Sequence, residues 1–363
     1  YTTLFRSFKR ASGPLLFCLT TLKLTKTMKS ELNLWYLDDG TLGGKVETLL
    51  EDYGKIASEG QLYGLNLNCY KCELIMNDAA VVTKFRAISP NIVHVLPSAA
   101  NLLGSPIGDV TATECALSVK LESLLLLGKR LKLLNTHDAF FFLKNCFSIP
   151  KLMHLLRSTQ CYACETLVKY DELLHDILES VLNITLTFNA WVQATLPVSM
   201  GGLGIRKATR LALPAYLSSV SGSADLQLSI LPDRLHESSA TNDVCFINAV
   251  TSWRTLSETS TPVGQNVKKQ KSWDIPLCKV TVQHVKMAAN TQADVVCLSA
   301  VSSAHASDYL NVYPSSSVGT RLDDTSLRIA IALRLGARIC EPHIWARECK
   351  NRLSLYIRLD VLS

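Results

Sequence analysis

The sequence predicts an α+β fold in which a part that contains strands is followed by a long helical part. Three observations support this prediction: a β-hairpin pattern at residues 32–42, a helical periodicity at residues 45–60, and a loss of strand signals after Gly108. The chain has 363 residues, of which 48% are hydrophobic. It is therefore long and apolar enough to form two or three units with cores of their own.

The hairpin pattern contains the most informative residues of the N-terminal part. Leu34-Trp35-Tyr36-Leu37 favours a strand, Asp38-Asp39-Gly40 favours a turn, and Thr41-Leu42 starts the returning strand. The preceding run from Leu15 to Leu24 is mostly apolar and follows Ser12-Gly13-Pro14, so it predicts a buried element that is either a helix or a strand.

An amphipathic helix is predicted from Lys45 to Gly60, because apolar and charged side chains alternate there at helical spacing. Short strands are predicted at Gly64–Asn68 and at Cys72–Met76. The glycines and the proline of Leu102–Gly108 predict a strand followed by a tight turn.

Helices dominate the rest of the chain. They are predicted at Glu114–Leu134, Ala139–Asn145, Lys151–Arg157, Glu165–Leu186, Ala208–Val220 and Ser326–Arg338. Ser218–Ser223 and Ser257–Gly264 are candidate linkers or surface loops because they are rich in serine, glycine or threonine. The domain boundaries that follow are residues 1–110, 111–217 and 218–363.

Charge and targeting signals narrow the class of protein. Residues 1–30 hold six basic residues and no acidic residue, and residues 120–157 hold seven basic and two acidic residues. Such basic segments suit a polyanion, although an ordinary solvated helix face has the same appearance. No segment has the pattern of a secretory signal or of a membrane span, so we expect an intracellular protein of the nucleus or cytoplasm, with its twelve cysteines mostly buried as thiols.

Asp38 and Asp39 place two carboxylates side by side at the predicted hairpin tip. Such a concentration of negative charge repels itself unless a cation lies nearby. Mg²⁺ takes carboxylate oxygens and keeps further positions for water and substrate phosphates, so the pair suits phosphoryl transfer. Taken alone, an Asp-Asp-Gly sequence is also typical of a plain polar turn.

The neighbouring motifs favour the functional interpretation. Tyr36-Leu37-Asp38-Asp39 is followed in order by Gly64-Leu65-Asn66-Leu67-Asn68, by Lys71-Cys72-Glu73 and by Leu103-Gly104. With these motifs the chain resembles a reverse transcriptase of the non-LTR retrotransposon kind. The resemblance implies a partial palm with an antiparallel sheet over residues 1–110, a helical thumb over 111–217, and a mostly helical extension over 218–363.

The resemblance also implies roles for individual residues. Asp38 and Asp39 match the catalytic aspartates that hold two Mg²⁺ ions, and Lys71 matches the lysine that is thought to protonate the pyrophosphate leaving group. Leu103 and Gly104 match the segment that holds the primer end. The implied partners are dNTP and an RNA or DNA template–primer, which the thumb grips with the basic residues Lys120, Lys129, Arg130, Lys132, Lys144, Lys151 and Arg157.

Two departures from the family pattern affect the catalytic site. The family has a further metal-binding aspartate upstream of the hairpin, whereas the first acidic residue here is Glu31. Gly13-Pro14-Leu15-Leu16-Phe17 matches the end of the nucleotide-pocket segment, but Phe8-Lys9-Arg10-Ala11 stands where the family has Gln-Gly-Asp-Pro. We therefore expect a fragment of a transposable-element polymerase with an incomplete two-ion site, and a nucleic-acid-binding remnant without activity is the alternative.

Other motifs favour structural roles. Cys69-x-x-Cys72 and Cys161-x-x-Cys164 lie too far apart in sequence to favour a shared zinc site, and Cys340, His343 and Cys349 match only the start of a Cys/His-rich segment. Asp323 and Asp324 precede a helical run, which predicts helix capping. His137, His154 and His175 are expected to be ordinary packed or surface residues.

Overall fold

A computed structural model describes residues 13–231, 236, 239–289 and 291–337 of the chain. The described residues form two compact units, one within residues 13–102 and 226–239 and the other within residues 103–225 and 240–337. Helices hold 65% of the described residues, and the strands among them are few and short. The structure is therefore compatible with the predicted α+β class in its broad sense. No helix of the described part is both long and apolar enough to cross a membrane.

The first unit contains short strands and three helices. Its elements are α1 (Gly13–Thr25), β1 (Leu32–Tyr36), β2 (Asp39–Gly43), α2 (Val46–Glu59), β3 (Glu73–Ile75), α3 (Ala79–Ile88), β4 (Val93–Val95) and β5 (Asn101–Leu102). β1 pairs with β2 in an antiparallel hairpin. β3 pairs with β4 in parallel, as expected for strands joined through helix α3. The single antiparallel sheet predicted for this part is therefore wrong, because these two pairs are separate and one of them is parallel.

The core of the first unit lies between helices α2 and α3 and the β3–β4 pair. Its buried side chains are Leu74, Val81, Val82, Phe85 and Ile92. Helix α2 was predicted almost to the residue, and its apolar positions Val46, Leu49, Leu50 and Tyr53 pack on this core. Gly64–Asn68 has no strand structure, so the strand predicted there is wrong.

Helix α1 is only lightly packed. Its buried residues are Gly13, Thr21 and Leu24, whereas Leu15, Leu16 and Leu19 are each more than half exposed. The sequence left open whether this run was a helix or a strand, and the structure makes it a helix. The prediction that the run is buried as a whole is wrong.

The second unit is a helical assembly. It contains β6 (Ser105–Pro106), α4 (Val110–Leu131), α5 (Thr136–Phe142), α6 (Ile149–Ser158), α7 (Glu165–Leu182), α8 (Phe188–Ala194), the start of α9 (Ala208–Ile230), α10 (Val244–Ser257), α11 (Gln270–Met287), α12 (Gln292–Val301) and α13 (Asp324–Leu335). The helices predicted between Glu114 and Leu186 are confirmed, with ends that differ by a few residues. A short π-helical turn at Leu143–Phe147 follows α5.

The main core of the second unit is built by leucine-rich faces of helices α4, α6 and α7, with α13 closing one side. Helix α7 follows a helical repeat of buried residues that includes Leu167, Tyr170, Leu174 and Leu178. A second cluster holds Trp253 and Trp273, whose rings meet edge to face with centroids 4.9 Å apart.

Two other predictions fail in this unit. Ser218–Ser223 is not a linker, because helix α9 runs through it and through the expected boundary at residues 217 and 218. Ser257–Gly264 is confirmed as a loop after helix α10. Of the ten described cysteines, all free thiols, only Cys161, Cys164 and Cys278 are buried, so the expectation of mostly buried cysteines is wrong.

Candidate functional site

The β1–β2 hairpin carries Asp38 and Asp39 at its tip. Tyr36 pairs with Asp39 in the ladder, so the connecting loop consists of Leu37 and Asp38. Leu37 has a positive φ of 58°, at the position where a two-residue hairpin turn often has glycine. The predicted hairpin is confirmed, and its turn lies one residue earlier than Asp38-Asp39-Gly40 because Asp39 already belongs to β2.

Both carboxylates of the hairpin tip face solvent. Asp38 is the second residue of the turn and Asp39 the first residue of the returning strand, and both are exposed. Within the part of the chain that the structure describes, neither side chain has a hydrogen-bond or ion-pair partner. The protein therefore leaves two adjacent negative charges uncompensated, at a position open to a cation.

The strands below the tip are held by contacts of their own. Trp35 Nε1 donates to Asn33 Oδ1 at 2.8 Å, and Asn33 Nδ2 donates to the Thr25 carbonyl at 2.8 Å. Gly40 lies opposite Trp35 and under its ring, since a Cβ on Gly40 would come within 2.8 Å of two ring atoms. The Trp35 ring thus covers the glycine and stiffens the base of the turn.

The donor set of the tip fits one hard divalent ion but not two. Mg²⁺ is commonly held by one or two carboxylates, with water and substrate phosphates in the remaining positions. No group of three or more His, Cys, Asp or Glu side chains among the described residues is arranged to hold a metal. Asp38 and Asp39, with the other described residues, therefore do not form the two-ion site that the resemblance implies.

Lys71 lies in the same unit as the hairpin but shares no bond with it. Lys71 ends a short 3₁₀ helix, Cys69–Lys71, and its side chain is exposed. No hydrogen bond or ion pair joins it to Asp38 or Asp39 in the described part of the chain. Its backbone amide donates to the Asn68 carbonyl at 2.9 Å, which fixes the 3₁₀ turn.

Leu103 and Gly104 form a strained turn in the second unit. Both have positive φ angles, 49° and 80°. The ring of His154 on helix α6 lies against this turn, with Nε2 3.0 Å from the Leu103 carbonyl oxygen and 2.9 Å from Ser105 Oγ. Ser105 Oγ in turn meets Ser158 Oγ at 2.5 Å. His154 was expected to be an ordinary histidine, and its isolated place in a helical run gave no sign that it supports the predicted primer-holding turn.

Most of the predicted nucleic-acid-binding residues are exposed to solvent. They lie on helices α4 and α6 and at the position that follows α4. Lys120 is half-buried, and the exposed members are Lys129, Arg130, Lys132, Lys151 and Arg157. Arg157 donates through Nη2 to Gln270 Oε1 at 2.9 Å, whereas the other exposed members have no side-chain partner in the described chain. Their charges are therefore free to meet an anion.

Lys144 differs from the other basic residues because it is turned into the protein. Its Nζ donates to the Leu310 carbonyl at 2.8 Å and to Asn311 Oδ1 at 2.9 Å. Burial, together with the nearby charge of Arg334, lowers the pKa of Lys144 to about 8. This lysine holds the π-helical turn to the loop before α13, so its ammonium group is not presented on the surface.

Asp323, Asp324 and His137, which were expected to have structural roles, each accept a hydrogen bond from a backbone amide. Asp323 caps helix α13 by accepting from the Ser326 amide at 2.9 Å, and Asp324 accepts from the Thr136 amide at 2.8 Å. His137 is buried and accepts from the Leu322 amide through Nδ1 at 3.0 Å. Cys340, His343 and Cys349 lie outside the described residues, as does the Phe8–Ala11 segment.

Residues 196–206 form a tightly held segment of the second unit. A Cβ on Gly202 would lie 2.1 Å from the Leu196 carbonyl oxygen, so only glycine fits there. Arg334 Nε donates to the Gly202 carbonyl at 3.1 Å, and Gln193 Nε2 donates to the Gly201 carbonyl at 3.1 Å. These bonds give the segment a structural role in the core of the second unit.

No protein-family model, no curated protein and no solved structure matches the chain.

Proposed function

We propose that this chain belongs to an RNA-directed DNA polymerase of the reverse-transcriptase type, from a non-LTR retrotransposon. The observation that carries the proposal is the pair Asp38 and Asp39, two adjacent, exposed carboxylates without protein partners at the tip of an antiparallel hairpin. Two adjacent carboxylates repel each other, and a bound cation would relieve that repulsion.

In this proposal each part of the chain has a distinct task. Asp38 and Asp39 bind Mg²⁺, which when bound neutralises the phosphates of the incoming dNTP. Lys71 serves as the acid for the pyrophosphate leaving group, and Leu103 and Gly104 support the primer end. Residues 1–110 then correspond to a partial palm and residues 111–217 to a thumb, and the protein acts on nucleic acid in the nucleus or cytoplasm.

The template–primer contact rests on the exposed basic residues of helices α4 and α6 and the residues that follow α4. Lys129, Arg130 and Lys132 lie close together in sequence at the end of helix α4, and all three are exposed. Lysine and arginine at such a surface neutralise phosphates and release condensed counterions, so this contact would be sensitive to salt. Lys144 has no part in it, because its ammonium group is bonded inside the protein.

A second candidate function is binding of nucleic acid without polymerisation. It is favoured by the donor set, since no third carboxylate joins Asp38 and Asp39 among the described residues. Two-metal catalysis needs ligands that hold both ions roughly 4 Å apart, and two neighbouring side chains of one turn are a poor scaffold for that. The exposed basic residues support this candidate and the polymerase equally.

Primer extension separates the two candidates. The chain, its Asp38→Asn/Asp39→Asn variant and a Glu47→Gln control would be compared on a poly-rA/oligo-dT template with Mg²⁺. Glu47 is an exposed carboxylate of helix α2 in the same unit, and the proposal gives it no role. Extension that is lost in the double variant and kept in the control supports the polymerase. Absence of extension in all three, with duplex binding retained, supports the second candidate.

The salt dependence of binding tests the interface shared by both candidates. In fluorescence anisotropy the slope of log K against log salt is expected to shrink by about 0.9 for each lost phosphate contact. We expect this for Lys129→Gln/Arg130→Gln/Lys132→Gln and not for Lys84→Gln/Arg86→Gln, which removes exposed charges from helix α3. Equal slopes in the two variants would contradict the assignment of the interface.

A further inference from the structure

A cavity in the second unit has a charge pattern that neither candidate function uses. It opens between helix α8, the start of helix α9 and the C-terminal half of helix α11, and its volume is about 160 Å³. A single water needs roughly 10–15 Å³ on the same measure, so the cavity has room for a small polyatomic ligand. The residues that line it are Phe188, Asn189, Val192, Thr195, Lys207, Arg210, Thr281, His284 and Val285.

Positive charge dominates this lining. Lys207 and Arg210 carry positive charges, His284 adds an imidazole ring, and no aspartate or glutamate of the described chain lines the cavity. Within the described residues, none of these three side chains has a hydrogen-bond or ion-pair partner. Arg206 in the adjoining pocket is different, because Asp274 accepts two bonds from it at 2.7 and 2.5 Å.

Lys207 lies over the Trp191 ring and forms no ion pair with the described residues. It is half-buried, and its Nζ lies 5.4 Å from the centroid of the Trp191 ring. Burial and the nearby Arg210 lower the pKa of Lys207, whereas the charge of Asp171 acts in the opposite direction. Asp171 is itself engaged, since it accepts from the Ala208 amide at 2.6 Å and from the Thr209 amide at 3.2 Å.

Asn189 adds an uncharged amide donor to the lining. The hydroxyl groups of Thr195 and Thr281 also line the cavity, but Thr195 Oγ1 donates to the Val192 carbonyl and Thr281 Oγ1 to the Leu277 carbonyl. Neither hydroxyl proton is therefore available to a ligand in this arrangement. Cations with a neutral amide donor suit a compact oxyanion, because charged donors make the strongest hydrogen bonds to it.

We propose that this cavity binds a phosphate group and that Lys207, Arg210 and His284 supply the contacts to it. Holding like charges together in a partly buried place costs free energy, and an anion that carries two negative charges offsets this cost better than a singly charged one. The phosphate comes from a small molecule, such as inorganic phosphate, or from the backbone of a nucleic acid. The site is independent of the Asp38–Asp39 hairpin.

Calorimetric titration with sodium phosphate at neutral pH tests the proposal, with sodium chloride at matched ionic strength as the reference. The test variant is Lys207→Met/Arg210→Gln, and the control is Lys271→Gln/Lys279→Gln, which removes two exposed charges from helix α11 outside the cavity. Two lost charge-assisted hydrogen bonds should weaken phosphate binding by at least about tenfold in the test variant. The control should bind like the unchanged chain.

A second variant keeps the test valid if the double variant folds poorly. His284 is exposed, so His284→Gln should leave the fold intact, as checked by circular dichroism, and still weaken phosphate binding. Binding equal in the unchanged chain and in His284→Gln, or heat no greater with phosphate than with chloride, would overturn the proposal.

An oligonucleotide titration distinguishes the two sources of phosphate. If Lys207→Met/Arg210→Gln binds both the oligonucleotide and phosphate more weakly, the nucleic-acid backbone is the source of the phosphate. If this variant loses phosphate binding but keeps its affinity for the oligonucleotide, the source is a small phosphate compound. Both outcomes support the site, and neither depends on primer extension.

Discussion

Gly128 of helix α4 lies directly against Ile177 of helix α7. A Cβ on Gly128 would come within 2.6 Å of Ile177 Cδ1 and 2.7 Å of Ile177 Cγ1. Helix α4 has no side chain at the point where Ile177 of helix α7 packs against it, and Leu124 and Leu131 of α4 are buried one turn to either side. A larger residue at position 128 would meet Ile177 directly.

Gly128→Ala is therefore expected to destabilise the protein. The added methyl group overpacks the core at a cost of about 1–3 kcal/mol, from which the better helix propensity of alanine recovers up to about 1 kcal/mol. Gly222→Ala is the matched control, since Gly222 also lies inside a helix but its nearest neighbour would be 3.9 Å away. Urea denaturation of both variants measures the difference.

The pair can be tested further with a double-mutant cycle. Ile177→Ala removes both atoms that the new methyl group would meet, so Gly128→Ala should no longer destabilise the protein in that background. If Gly128→Ala and Gly222→Ala have the same effect on the free energy of unfolding, the close approach of α4 and α7 is refuted.

Asp52 offers a test of pH dependence in the first unit. It is buried, and it accepts from the Ser30 amide at 2.8 Å, from Ser30 Oγ and from the Lys29 amide. Burial by itself would raise the pKa of Asp52, but these hydrogen bonds outweigh it and hold the pKa below its ordinary value. The stabilisation is present above the unfolded pKa of about 3.8 and is lost as pH falls through the lower, folded pKa.

Asp52→Asn should weaken the first unit by about 2 kcal/mol at neutral pH, because an amide NH₂ would face backbone N–H donors. Hydrogen exchange of the amides in residues 29–59 measures this local loss. Glu51→Gln, which breaks only the exposed ion pair with Lys29, should change stability by less than about 0.5 kcal/mol. A deficit of Asp52→Asn that does not shrink as pH falls below about 3.8 would contradict the role of the carboxylate charge.

Leu37 is expected to be a strained residue of the hairpin turn. Its φ of 58° is unfavourable for any residue with a Cβ, at a cost of about 1–2 kcal/mol. Leu37→Gly should therefore be more stable than Leu37→Ala by about 1 kcal/mol, because both remove the side chain but only glycine accepts the angle freely. Exchange of the β1 and β2 amides compares the variants, and an alanine variant as stable as the glycine variant would argue against the strained turn.

Arg206 and Asp274 form a partly buried ion pair whose loss should be costly. Only 18% and 15% of their side-chain surfaces are exposed. Asp274→Asn leaves the guanidinium without its counter-ion, and we expect a loss of about 3 kcal/mol in the free energy of unfolding. Asp225→Asn is the matched control, because its pair with Lys268 is largely exposed and its loss should change the free energy of unfolding far less. Similar losses in thermal melts of both variants would contradict the difference in burial.

Local patterns predicted most of the regular structure. The hairpin and helix α2 were found from strand propensity, turn residues and helical spacing, and the same is true of helices α4 to α7. Each of these signals lies within about twenty residues of sequence, which is why they can be recognised without knowledge of the fold. The capping role of Asp323 is local in the same way.

The placement of polar residues could not be predicted in this way. Asp52 is one of the charged residues of the amphipathic pattern of helix α2, for which a solvated position is expected, yet it is buried where Lys29 and Ser30 bring three donors to it. Lys144 was assigned to a nucleic-acid surface, yet its ammonium group is bonded to Leu310 and Asn311, more than 160 residues away in sequence. A charged residue looks the same in the sequence whether its partner is water or a distant carbonyl group.

By itself, the sequence determined the β1–β2 hairpin, helix α2 and helices α4 to α7, and it placed Asp38 and Asp39 at a turn, because these features depend on residues close together in the chain. The tertiary structure alone decided that β3 and β4 pair in parallel and that Ser218–Ser223 is helical. It also decided that Lys207, Arg210 and His284 line one cavity. These features arise from packing between distant segments, where burial and the satisfaction of polar groups outweigh local propensity.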